Sequence, residues 1–174
     1  MARITIRDVQ ASAKKCSEQL RDLGYQVPSV TTYRITSRMT RALGNCASRQ
    51  DFFGNKTKVV ISISADLPLH LLDNTMIHEQ IHAVLPHGSG HGPKFQYLAR
   101  LVNRKYGYNV STYASMEATQ EVNANRIESG TKVKITCSCG AVSITTKIKA
   151  NKVLTYPQEY TCKRCGNSGQ FSRG

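Results

Sequence analysis

The string His78-Glu79-Gln80-Ile81-His82 reads H-E-x-x-H, and on a helix its four-residue spacing places both imidazoles on one face about a turn apart. Neutral imidazole nitrogen is a good zinc ligand, and a hydrolytic zinc centre takes three protein ligands and keeps one position for water. Glu79 then stands where a general base is needed for zinc-activated water attacking a carbonyl. With 5 His and 6 Glu in 174 residues, chance would produce this string only about 0.005 times. Four of the five histidines also crowd between positions 78 and 91, which an incidental pattern on a solvated helix does not explain. His91 is the preferred third ligand, because Gly90 and Gly92 let the chain reverse beside the metal and Phe95 can pack against the site. His87 stays open as a proton shuttle or substrate contact. His70 reads as a surface residue.

A second constellation lies near the end of the chain. Cys137-Ser138-Cys139-Gly140 and Cys162-Lys163-Arg164-Cys165-Gly166 offer four thiolates on two turns. This suits a structural zinc ribbon, with a redox dithiol or an iron centre as lesser readings. Only 44 residues follow Gly130, so metal binding is expected to supply much of the folding free energy there. Of the remaining cysteines, Cys16 falls in an apolar stripe and reads as a small buried hydrophobe, and Cys46 reads as inert.

These residues need a scaffold. Thr5 with Asp8 forms a capping-box pattern ahead of Val9, Ala13, Cys16, Leu20 and Leu23, an amphipathic helix that Gly24 ends. Alternation around Tyr33, Ile35 and Met39, and again at Val59, Ile61 and Ile63, predicts strands. Between them, Gly44, Asn45, Gly54 and Asn55 mark a turn-rich connection or hairpin. Asp73 is the expected N-cap of the histidine helix, whose Ile77, Ile81, Val84 and Leu85 form the apolar face and which Pro86 stops. Phe95, Leu98 and Val102 mark a further helix ending near Gly107. Residues 111–130 turn polar and read as a linker, partly helical, before short strands at Val133/Ile135 and Val142/Ile144. The expected division is therefore 1–110, a linker at 111–130, and a ribbon at 131–174.

The chain carries 24 Lys and Arg against 11 acidic residues, a formal charge of +13, which favours a polyanionic partner such as nucleic acid. Residues 131–174 hold +7 of it, against +6 for the 130 residues before them. Lys132, Lys134, Lys147, Lys149, Lys152, Lys163 and Arg164 are candidate phosphate contacts, with Tyr156, Tyr160 or Phe171 to stack on exposed bases. No run approaches the roughly 18 apolar residues of a membrane span, and the first residues lack the apolar block of a secretory signal, so an intracellular protein without a membrane partner is expected.

HEQIHAVL, then Gly90, His91, Gly92, Pro93 and Phe95, then the C-x-C and C-x-x-C pairs, together resemble the SprT-like metallopeptidase family, which includes the Spartan proteases. The resemblance covers roughly residues 30–165 with gaps. It implies an α+β, zincin-like metallopeptidase domain with a C-terminal zinc ribbon. His78, His82 and His91 would bind catalytic zinc, Glu79 would be the base, and proteins crosslinked to DNA would be substrates. The spacer from His82 to His91 is shorter than is common in that family, which bears on the cleft rim and keeps His87 in view. The metzincin arrangement after His82 is missing, and no residue is singled out as an oxyanion stabiliser. The expected function is a zinc metalloendopeptidase acting on DNA-associated or DNA-crosslinked proteins, with one catalytic and one structural Zn²⁺. The rivals are a peptidase that cuts one regulatory protein such as a repressor, and a non-catalytic zinc-containing DNA-binding module. Whether single-stranded or duplex DNA is preferred stays open.

Overall fold

The computed structural model describes residues 3–39 and 42–174, which fall into two compact units, Met1–Thr119 and Gln120–Gly174. The first begins with helix α1, Ile6–Asp22. Its start is fixed reciprocally: the Thr5 hydroxyl accepts from the Asp8 amide, and the Asp8 carboxylate accepts from the Thr5 amide at 2.8 Å. Val9, Ala13, Cys16 and Leu20 recur at helical spacing and are buried, so one stripe of α1 enters the core.

Three strands follow: β1, Thr31–Thr36; β2, Gly44–Gln50; and β3, Lys56–Ser64. They form one sheet in the order β1-β3-β2, with β1 parallel and β2 antiparallel to β3. Val59, Ile61 and Ile63 of the central strand are fully buried, as their alternation predicts. Ser62 and Ser64, on the alternate positions of the strand, are buried as well. The turn-rich reading of Gly44 and Asn45 is corrected, because both begin edge strand β2; only residues 51–55 form the turn of the β2–β3 hairpin. Met39 lies outside the strands, and its neighbours Thr40 and Arg41 fall outside the described residues.

Helix α2, Leu72–Val84, packs on α1, β2 and β3 through Met76, Ile77 and Ile81. Asp73 is not its N-cap, since Leu71 holds that position. The Asp73 carboxylate instead accepts from Ser12 Oγ at 2.6 Å and Lys15 Nζ at 2.5 Å, tying α2 to α1. Gln80 makes a second tie from the buried side: its Nε2, with two protons to share, lies 2.9 Å from the Ala13 carbonyl and 3.1 Å from the hydroxyls of both Ser17 and Tyr33. Helix α3, Pro93–Tyr106, buries Phe95, Leu98 and Val102 and ends at Gly107.

The segment expected to be a linker carries helix α4, Met116–Glu128, with Val122 and Arg126 buried. In the second unit β4, Val133–Cys137, lies between β5, Val142–Thr145, and β6, Phe171–Arg173, with both pairings antiparallel. A helix that periodicity did not announce, α5, Lys147–Thr155, covers the sheet with Ala150 and Val153. The buried cluster is small, made of Ile135, Ala150 and Val153 with Val133, Tyr160 and Phe171 packed against it. The architecture is mixed α and β, with four cysteines gathered near the C-terminus.

Candidate functional site

His78 and His82 project from one face of α2, and His91 arrives from the loop between α2 and α3. Gly90 in that loop adopts a left-handed conformation, φ +49°, as the expected chain reversal requires, whereas Gly92 is the extended N-cap of α3. The three rings meet. His91 Nε2 lies 3.1 Å from His82 Nε2 and 3.1 Å from His78 Nε2. Phe95 is the floor beneath them, with its ring centroid 4.7 Å from His82 and His91 and 4.8 Å from His78. His78 also hydrogen-bonds the Ser111 backbone. The loop carrying Ser111 is fastened to α2 by Asn74, which donates to the Asn109 carbonyl at 3.2 Å and accepts from the Asn109 amide at 2.8 Å.

The donor set fits a divalent cation. Burial lowers both His78 and His82 to about 4, so each offers a neutral imidazole at ordinary pH. Three converging Nε2 atoms cannot all satisfy one another by hydrogen bonds, since each imidazole nitrogen has a single lone pair or a single proton. Tetrahedral Zn–N bonds of the usual length put ligand nitrogens about 3.3 Å apart, close to the spacing seen here.

Glu79 is 5% exposed and wedged between α2 and the edge strand. Burial pushes its carboxyl up to about 8, against the opposing hydrogen bond from the Cys46 backbone. A cation bound by the neighbouring imidazoles would draw it back toward the carboxylate. The fit against β2 is close: a Cβ on Gly44 would stand 2.8 Å from both Cγ and Oε1 of Glu79 and 2.9 Å from Cγ2 of Thr75. Gly44 and Cys46 therefore hold the carboxyl in place, and spacing along the chain did not reveal them. The contact joins residues more than thirty positions apart.

A cleft of about 1040 Å³ opens over these groups, bordered by residues 42–48, by the α2–α3 loop and by residues 107–115. His87 sits on its rim, its Nδ1 3.0 Å from Ser48 Oγ, and does not join the imidazole cluster. His70, read as a surface residue, is exposed but also borders the cleft. At the far end of α2, Lys56 Nζ donates to the carbonyls of His82 at 3.1 Å, Ala83 at 2.5 Å and Leu85 at 2.6 Å, capping the helix where it carries its second histidine.

Cys137 Sγ lies 3.8 Å from Cys165 Sγ, and Cys139 Sγ lies 3.8 Å from Cys162 Sγ. That is too long for a disulfide and matches the roughly 3.8 Å between thiolates on one tetrahedral zinc. Amides of Cys165 and Arg164 lower the Cys162 thiol to about 6, favouring the thiolate a metal needs. Of the basic candidates in this unit, Lys134, Lys147, Lys149, Lys152, Lys163 and Arg164 are exposed. Lys132 is buried, at 8% exposure, and its side chain is not presented to a phosphate. Tyr160 and Phe171 pack on the small core, which leaves Tyr156 as the exposed ring among the three expected to stack.

A sequence profile of the SprT-like family matches residues 12–114, a span holding all three histidines and Glu79. The chain belongs to the SprT-like family. That membership describes a zinc metallopeptidase-like domain, in keeping with the imidazole cluster. No curated protein matches the chain. Among the described residues no helix is long and apolar enough to cross a membrane.

Proposed function

We propose that this SprT-like chain is a zinc metalloendopeptidase of zincin-like fold that hydrolyses proteins associated with or crosslinked to DNA. The observation that carries the reading is the convergence of three Nε2 atoms beside a buried glutamate at the base of an open cleft. When bound by His78, His82 and His91, zinc supplies Lewis-acid polarisation of a carbonyl and eases deprotonation of water. The protein does the rest. Phe95 and the Ser111 backbone fix the ring orientations. Glu79 accepts the proton of the attacking water on a carboxylate oxygen and passes it to the departing amine nitrogen. Among the described residues β2 pairs only with β3, and its other edge borders the cleft, where an extended peptide can add as a further strand.

The DNA part of the reading is supported by the +13 charge and by the exposed cations Lys134, Lys147, Lys149, Lys163 and Arg164 of the unit that carries the tetra-cysteine cluster, which we take to be a structural zinc ribbon. The test is proteolysis by the full chain and by Glu79→Gln, with free and DNA-bound protein substrates, in the presence of single-stranded or duplex DNA. Wild-type cleavage should be greater for DNA-bound substrate. Glu79→Gln should keep its zinc and lose about 10²–10⁴-fold in rate. Equal activity of the two proteins would reject the base, and indifference to every DNA would reject the substrate class.

A further inference from the structure

The tip of the β2–β3 hairpin carries two aromatic rings that the fold does not use. Phe52 is 98% exposed and Phe53 is 85% exposed, and their rings meet edge to face with centroids 5.7 Å apart. The turn beneath them is firmly built. The Asp51 carboxylate accepts from the amides of Phe53 and Asn55, both at 2.9 Å, and from the Asn55 side chain at 3.2 Å, while Gln50 donates to the Gly54 carbonyl at 2.9 Å. The rings are thus presented to solvent by a fixed turn. Single exposed apolar residues are ordinary; an adjacent pair of phenylalanines exposed this fully is not.

Where the strands enter the turn, Arg49 on β2 lies directly opposite Lys58 on β3, and both are exposed. Like charges placed opposite each other across a ladder repel, so folding alone does not favour the pairing, and a bound anion would relieve it. Register puts Arg34 of β1 on the same sheet face, and none of the three strands contains an acidic residue. The one acid within residues 44–64, Asp51, is occupied in the turn. The fourth cation, Lys56, is turned inward onto the end of α2.

We propose that this hairpin is a docking site for single-stranded DNA: unpaired bases stack on Phe52 and Phe53, and the flanking phosphates lie along Arg49 and Lys58. Flat π-faces beside a row of cations are what an unpaired, polyanionic strand recognises, and bases already stacked in a duplex do not offer their faces. The inference deepens the DNA reading above and rests on it. Because the hairpin continues the strand that borders the cleft, DNA held at its tip brings an attached protein to the edge where a peptide would pair.

The experiment uses the full, zinc-loaded chain with an oligothymidylate 15-mer carrying 5-iodouracil, and a duplex of the same length. Irradiation should attach the oligonucleotide to residues 50–56, which trypsin releases as one peptide between Arg49 and Lys56. Phe52→Ala/Phe53→Ala should weaken single-strand binding about tenfold or more and leave duplex binding within twofold. Phe52→Tyr/Phe53→Tyr should restore it, and Arg49→Ala/Lys58→Ala should flatten the salt dependence by about 1–2 phosphate contacts. The alanine pair should cleave a DNA-free unfolded protein as wild type does. Unchanged single-strand affinity without an adduct in residues 50–56 would overturn the proposal and leave the wider DNA reading standing. A wild type that binds no DNA would sink both. Loss of DNA-free cleavage in the alanine pair would make the tip a protein-docking element and overturn the proposal.

Discussion

At the scale of single residues, the chemistry is concentrated in four side chains whose identities the chain announces and whose placement depends on neighbours it does not. His78 and His82 follow from helical spacing, and His91 from the glycines around it, because these are local relations of three to nine residues. The pocket for Glu79 is not local. It is closed by Gly44 and the Cys46 amide, from a strand whose residues carry no strong β signal: Gly44, Asn45, Cys46 and Ala47 lack β-branched side chains. This predicts that Gly44→Ala, a change of one methyl group, displaces Glu79 and lowers peptide hydrolysis at least tenfold while zinc content is kept. Metal analysis beside a peptidase assay checks it; an active Gly44→Ala protein would show that Glu79 tolerates displacement.

At the scale of elements, what could be read was the period and the caps. Thr5 and Asp8 start α1, and the apolar stripe of α3 runs to Gly107 as its spacing says. Asp73 misled for a physical reason: an acid near a helix start serves as a cap or as an anchor to another element, and Ser12 and Lys15 lie within reach from α1. Burial tends to raise its carboxyl, but the bonds from Lys15 and Ser12 together outweigh this and hold it below the ordinary carboxylate range. A carboxyl depressed in the folded state contributes its stability above the unfolded value and loses it as the pH falls through the folded one. Asp73→Asn should therefore cost about 1 kcal/mol near neutrality, allowing for partial exposure. The gap from wild type in thermal melts should close as the pH falls past the ordinary aspartate range. At the other end of α2, Lys56→Met strips the cap from the carbonyls of His82, Ala83 and Leu85. It should lower stability by about 1–2 kcal/mol in urea unfolding, and an unchanged midpoint would deny the cap its role.

At the scale of the whole molecule, two units of unequal self-sufficiency share the chain. The first has a continuous core from α1, β3, α2 and α3; the second buries little beyond Ile135, Ala150 and Val153. Its fold was legible in outline because paired cysteines are a short-range signal, whereas α5 and the burial of Lys132 depend on how a small sheet is covered. Cys162→Ser should unfold the second unit selectively, seen as proteolytic cutting confined to residues beyond 120 with the first unit intact. Cutting spread evenly over both units would contradict that division of labour.

The most direct test is the zinc content per chain of purified wild type and of His91→Ala, measured by plasma mass spectrometry. Two ions in the wild type and one in the variant are expected if the three imidazoles take one ion and the four thiolates the other, as their spacing allows. One ion in both proteins, or two in both, would mean that the histidines do not share a metal.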